Sequence, residues 1–212
     1  MAKKLGFGKQ HRLIDLGTGP GLLALGFAPY VGRIVGVDPE PAMLAAAREA
    51  AGRASQAFTL IEGKAEDLAG DVGPFDVVTI GRALHWMDRD AISARLERLV
   101  APNGAILVCS SYSAADRRNP WLDEYNKARR FWSAASLWSE GGGERTHRDL
   151  ATFFRGTRFH VADVIKVETS HEISVRDLAR RVLTFSSSSP DVLGDRVDAM
   201  FTPISFRRAA KA

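Results

Sequence analysis

The chain has 212 residues, 45% of them hydrophobic and 25% charged, a balance that excludes a disordered, fibrous or membrane-embedded protein and leaves a globular one able to bury a core. Its 29 basic residues exceed the 25 acidic ones for a net charge of +4, but the excess is scattered in pairs such as Arg129-Arg130, Arg180-Arg181 and Arg207-Arg208, so no nucleic-acid partner is expected. The single cysteine, Cys109, excludes disulfide staples and a cysteine-rich metal cluster within the chain.

The opening residues Met1-Ala2-Lys3-Lys4-Leu5-Gly6 lack the apolar stretch of a signal peptide, and no window reaches the length needed to span a bilayer. A cytoplasmic protein without a membrane partner is therefore expected. Short apolar runs then alternate with helix-like segments, the rhythm of a parallel sheet with crossover helices. The predicted strands are 12–16, 33–37, 57–61, 75–80 and 105–110; the predicted helices are 22–30, 41–53 and 89–100. Pro41 suits the first turn of the second helix, and Ile92, Leu96, Leu99 and Val100 share one face of the third. Cys109 closes the last apolar run and reads as a small buried hydrophobe. The expected architecture is α/β, a three-layer, Rossmann-like and mostly parallel sheet covered on both faces.

After Ser110 the pattern changes, because residues 112–138 hold three of the four tryptophans. Within them Trp121, Tyr125, Ala128 and Trp132 recur at helical spacing, so an aromatic helical cap is expected over 112–150, inserted in one domain covering 1–212. Gly141-Gly142-Gly143 supplies a flexible connection. Further helices are predicted at 146–154, 175–185 and 191–201, with 159–173 extended as a sixth strand. No helix is expected before the first strand and no seventh strand after the sixth; 201–212 reads as a basic tail. A sixth strand left at the sheet edge with Val161, Val164, Ile165 and Val167 would make the chain dimerise or aggregate through that edge.

The strongest signal is Leu13-Ile14-Asp15-Leu16-Gly17-Thr18-Gly19-Pro20-Gly21, a strand running into a glycine turn that opens a helix. Such turns let a ligand approach the backbone more closely than a Cβ allows. The spacing is Asp-x-Gly-x-Gly-x-Gly, whereas the dinucleotide fingerprint needs its third glycine where this chain has Leu22. A pyrophosphate would also meet the carboxylate of Asp15, so a ligand without phosphate fits better. Asp38, 21 residues after Gly17, ends the second strand, where a carboxylate accepts from both hydroxyls of an adenosine ribose. The same side chain could equally cap the helix at Pro41. Gly63-Lys64-Ala65-Glu66-Asp67-Leu68 ends the third strand with a polar stretch suited to an adenine edge, or with the acidic first turn of a short helix.

In order, residues 14–21, 35–39, 64–68, 75–88 and 99–108 resemble the motifs of class I S-adenosylmethionine-dependent methyltransferases. Ala83-Leu84-His85-Trp86-Met87-Asp88 looks most like their small-molecule branch, which includes ubiquinone-biosynthesis and trans-aconitate-type enzymes. The resemblance implies S-adenosyl-L-methionine as cofactor. It would place Asp15, Gly17, Gly19 and Gly21 around the methionine part, Asp38 at the ribose, Ala65 and Glu66 at the adenine, and Gly81 and Arg82 beside the sulfonium, with Thr18, Pro39, Met43 and Lys64 as further cofactor-binding residues. His85 is the candidate general base, read equally well as a packed or solvent-facing histidine.

The other histidines, His11, His147, His160 and His171, form no zinc spacing and no nucleophile arrangement. Where nucleobase amine methyltransferases carry Asn/Asp-Pro-Pro-aromatic, this chain has Gly81-Arg82-Ala83-Leu84, which disfavours DNA or RNA bases as acceptors. The expectation is methyl transfer to a small molecule. The rivals are an NAD(P)-dependent oxidoreductase and a non-catalytic protein that keeps a methyltransferase-like fold.

Overall fold

The computed structural model describes residue 2 and residues 4–132, 149–184 and 193–194. Its elements in chain order are β1 (Arg12–Leu16), α1 (Leu22–Phe27), β2 (Arg33–Asp38), α2 (Pro41–Arg53), β3 (Thr59–Glu62), β4 (Phe75–Gly81), α3 (Arg89–Leu99), β5 (Val100–Cys109), α4 (Leu122–Trp132), α5 (Leu150–Phe153) and α6 (Val175–Arg181). The five strands form one wholly parallel sheet in the order β3-β2-β1-β4-β5. The fold is α/β and Rossmann-like. The strand order reverses at β1, whose neighbours are β2 and β4, and ligands of such sheets sit beyond the carboxyl ends of the strands at that reversal.

The strands are apolar on both sides because both faces are covered. Ile14, Leu16, Val35, Val37, Val78 and Ile80 pack with Ile92, Leu96 and Leu99 of α3 and with Phe154, while Leu13, Ile34 and Val77 pack with Ala24, Phe27, Ala28 and Val31. Each fully buried Leu, Ile or Phe contributes about 1.5–3 kcal/mol. Asp88 starts α3 by accepting from Ala91 N at 2.8 Å. α1 stops at Phe27 because Pro29 has no N–H to continue it, and a 3-10 turn completes 28–30. The amine of Lys9 then donates to the carbonyls of Ala28 and Val31 at 3.0 and 3.1 Å.

Several boundaries differ from the sequence expectation for local reasons. β3 begins at Thr59, and α3 ends at Leu99 because Val100 already has strand geometry (φ −88°, ψ 128°). β5 therefore starts earlier than 105, and it bulges between its pairings Val100 with Phe75 and Ala105 with Val77, where Pro102, Asn103 and Gly104 interrupt the ladder. Cys109 is only half-buried, since among the described residues β5 has β4 as its one strand neighbour.

The predicted sixth strand is not formed. Among the described residues, 159–173 pair with no strand, and Val161, Val164, Val167 and Ile173 are 45–71% exposed. An alternating segment joins a sheet only when its apolar face lies over a core; here Val164 and Val167, beside Asp163, Lys166 and Glu168, are exposed. The expected association through that strand's edge loses its basis with it.

The chain divides into two compact units, residues 1–111 with 146–165, and residues 112–145 with 166–212. In the first, Phe154 meets Phe153 and Phe159 edge-on at 5.0 and 5.8 Å, and Arg158 pairs with Glu97 at 2.9 Å. In the second, α4 forms as the aromatic spacing predicts, with Trp121 edge-on to Tyr125 at 5.7 Å; Tyr125 and Leu183 pack against buried Val182 and Leu193. α6 continues as a 3-10 turn over 182–184. Residues 141–143, nearly all of the predicted helix 191–201 and the tail 201–212 lie outside the described residues. No described helix is long and apolar enough to cross a membrane.

Candidate functional site

The loop after β1 is built from beneath. The side chain of Asp15 is 1% exposed, and its carboxylate accepts from Thr18 Oγ1 at 2.8 Å and from Thr79 Oγ1 at 2.6 Å. Burial outweighs these hydrogen bonds and pushes the Asp15 carboxyl up to about 6, with the charge of Asp38 adding to the rise. Asp15 thus lies under the loop and shapes it, and its neighbours on β2 and β4 are Gly36 and Thr79. Thr79 was not anticipated as part of the site; its signal was a lone hydroxyl inside the apolar run 75–80.

Two glycines of the loop serve different ends. Gly17 has φ +67°, and a Cβ there would lie 2.4 Å from the Cβ of Ala83, so its bareness lets the turn after β4 pack on the loop. Gly19 has φ +54°, yet a Cβ there would meet nothing within 4 Å. The space over Gly19 is open, so a group can approach the backbone there. Thr18 N donates to the Val37 carbonyl at 2.9 Å, which anchors the loop to β2, and Gly21 closes it by donating to Thr18 O at 2.9 Å.

Asp38 ends β2 at 8% exposure. Its carboxylate accepts from Gly19 N at 2.8 Å and from Glu40 N at 3.0 Å, so it faces the glycine loop on one side and the next turn on the other. It is not the helix cap: Glu40 holds that position for α2, with no side-chain bond. Pro39 and Met43 follow it, both exposed, Met43 at 42%. Gly63 N donates to the Asp38 carbonyl at 3.1 Å and draws the end of β3 alongside. There Lys64 is exposed, Ala65 is buried and Glu66 is half-buried, in a 3-10 turn over 65–67. The Glu66 carboxylate accepts from Asp88 N at 2.9 Å.

β4 ends at Gly81, opposite Cys109 of β5. Arg82 follows with φ +59°, a left-handed conformation that costs a non-glycine residue about 1–2 kcal/mol, held in place by its N–H on the Cys109 carbonyl at 3.0 Å. The 3-10 turn 84–86 then presents Trp86, 70% exposed, with the His85 ring 4.8 Å from its own. Partial burial, and secondarily the Arg82 charge, holds the His85 imidazole below its ordinary value. The Cys109 thiol is pushed up by burial and by Asp15, which keeps it protonated and poorly nucleophilic.

The candidate cofactor residues and His85 therefore stand at the carboxyl ends of β1 to β4 or in the segments that follow them. Among the described residues no group of His, Cys, Asp or Glu could hold a metal ion.

Residues 14–108 match the family model described as a methyltransferase domain. The uncharacterized methyltransferase YcgJ of Bacillus subtilis is 31% identical over 118 residues, covering 55% of this chain and 46% of that protein. A ubiquinone biosynthesis O-methyltransferase of Azorhizobium caulinodans is 35% identical over 101 residues, 47% of this chain and 40% of that one. These alignments span less than half of each relative's length. The crystal structure of YcgJ superposes with a TM-score of 0.50 at 28% identity, covering 61% of this chain and 56% of that one.

Proposed function

We propose that this chain, whose residues 14–108 match a methyltransferase domain, transfers a methyl group from S-adenosyl-L-methionine to a small-molecule acceptor. The observation that carries the reading is the junction of Gly19 and Asp38. An open space over a bare backbone lies beside a carboxylate that reaches both the loop and the end of β2, the arrangement an adenosine joined to an amino acid needs. The residues present fit the cofactor. Gly17, Thr18, Gly19 and Gly21 would line its methionine part above Asp15, Asp38 with Pro39 and Met43 its ribose side, Lys64, Ala65 and Glu66 its adenine, and Gly81 and Arg82 its sulfonium end. When bound, it supplies an activated methyl group whose carbon needs no further polarisation.

The protein's own work is then alignment and proton handling. The turn after β4 brings His85 and Trp86 to the carboxyl edge of the sheet, where the acceptor would lie. The imidazole in its neutral form can take the proton of an acidic hydroxyl as the acceptor oxygen attacks, and Trp86, 70% exposed, offers an apolar surface that an acceptor would cover. An O-methyl acceptor is favoured by the similarity to O-methyltransferases such as that of ubiquinone biosynthesis. Against a dinucleotide stands the buried carboxylate of Asp15 directly under the loop.

Calorimetric titration with S-adenosylhomocysteine and with NAD decides the reading. Binding of S-adenosylhomocysteine alone is expected. Binding of NAD alone would move the protein to the oxidoreductases, and binding of neither by a folded sample would leave a non-catalytic relative.

A further inference from the structure

We infer that Glu66 is a positioning residue that ties the turn on the adenine side of the site to the turn on the acceptor side, so that filling the cofactor site orders the segment carrying His85 and Trp86. The inference rests on the methyltransferase reading for the identity of the two sides. The contact itself is direct. Glu66 lies in the turn 65–67 after β3, yet its carboxylate accepts from the backbone N–H of Asp88, 22 residues later and two residues beyond Trp86.

Asp88 is a junction rather than a passive neighbour. Its own carboxylate accepts from Ala91 N at 2.8 Å and its carbonyl from Ile92 N at 2.9 Å, so the residue gripped by Glu66 is the one that begins α3. From inside α3, Arg95 reaches back with Nε and Nη2, both 3.4 Å from the Glu66 carbonyl. The turn 65–67 is thus held to the start of α3 through the Glu66 side chain and to its middle through the Glu66 carbonyl. Beneath it Ala65, Ala83 and Leu84 share one buried cluster, which leaves the strand ends little room to move separately.

A ligand that settles against the turn 65–67 reduces its motion, and the Glu66 bond passes that restraint to Asp88 and to the preceding three residues. By reciprocity an acceptor bound at His85 and Trp86 would tighten the cofactor site. A carboxylate serving only to brace the fold would hold Asp88 equally well with the site empty or filled.

Hydrogen exchange over residues 84–92, with and without saturating S-adenosylhomocysteine, separates the two roles. The full chain should gain about fivefold protection on ligand binding, the factor that one hydrogen bond's net contribution corresponds to. At S-adenosylhomocysteine concentrations that calorimetry shows to saturate each variant, Glu66→Ala should lose the gain, and Glu66→Gln, whose amide oxygen still accepts, should keep it. Asp88→Pro, allowed by φ −68°, removes the donor and leaves Glu66 in place but also removes the cap of α3, so it is read against Asp88→Ala, which loses only the cap; the gain should persist in Asp88→Ala and be lost in Asp88→Pro. A gain that persists in Glu66→Ala and Asp88→Pro, or none in the unaltered chain while calorimetry shows the ligand bound, overturns the inference. If calorimetry shows no binding to the unaltered chain, the methyltransferase reading fails first and the inference falls with it.

Discussion

The substitution Asp15→Asn should change how the stability of the protein depends on pH. The folded state keeps a proton on Asp15 up to about pH 6, while an unfolded aspartate releases it near 3.8, so the native state binds more protons across that window. Stability contributed by this group is therefore present below the lower value and lost as pH rises toward the upper one. The interval corresponds to about 3 kcal/mol at pH 7. The asparagine carries no charge and keeps the shape, but it offers one acceptor oxygen where two hydroxyls now donate. One hydroxyl must turn, and Thr79 has the Ile14 carbonyl within 3.5 Å as an alternative, so about 1 kcal/mol is lost at every pH.

The variant should accordingly be slightly less stable than the parent at pH 4 and about 2 kcal/mol more stable at pH 7.5. Urea unfolding of both proteins over that range reads the difference as a midpoint shift of about 1 M, taking a slope of about 2 kcal/mol/M. Groups that titrate alike in both cancel in the comparison. A difference that stays flat with pH would mean that Asp15 is ionised in the fold without penalty, and the account of the loop as built over a costly buried carboxylate would be wrong.

Three further outcomes follow from the same geometry. Asp38→Ala should weaken S-adenosylhomocysteine binding by at least about 1.5 kcal/mol, through loss of charge-assisted bonds to the ribose and release of Gly19 N; unchanged affinity in calorimetry would remove Asp38 from the site. Gly19→Val should abolish binding and leave most of the fold, at a backbone cost of about 1–2 kcal/mol, whereas Gly17→Ala should damage the fold itself, because its Cβ would lie 2.4 Å from that of Ala83; thermal unfolding beside calorimetry distinguishes the two. Arg82→Gly relieves the left-handed backbone while keeping the N–H on Cys109, and it removes the cation beside His85, so the His85 imidazole followed by NMR should titrate higher than in the parent; no change would take Arg82 out of that environment.

Local chemistry made much of this legible without coordinates. Asp-Leu-Gly-Thr-Gly-Pro-Gly after an apolar run, Asp38 at the end of the next run and the alternation of runs and helices specify a parallel sheet with a glycine turn, because each signal depends on residues near one another in the chain. What required the folded chain were relations between distant segments. Asp15 is at once near the ligand edge and wholly buried, since Thr79, 64 residues away, comes to sit beside it across the sheet. Glu66, expected from the sequence at the adenine side, also holds the N–H of Asp88, a contact that only the packing of α3 creates. The segment 159–173 has the alternation of a strand and is none, because alternation describes only the face a segment offers, and whether a core lies opposite is decided by where the rest of the chain has gone.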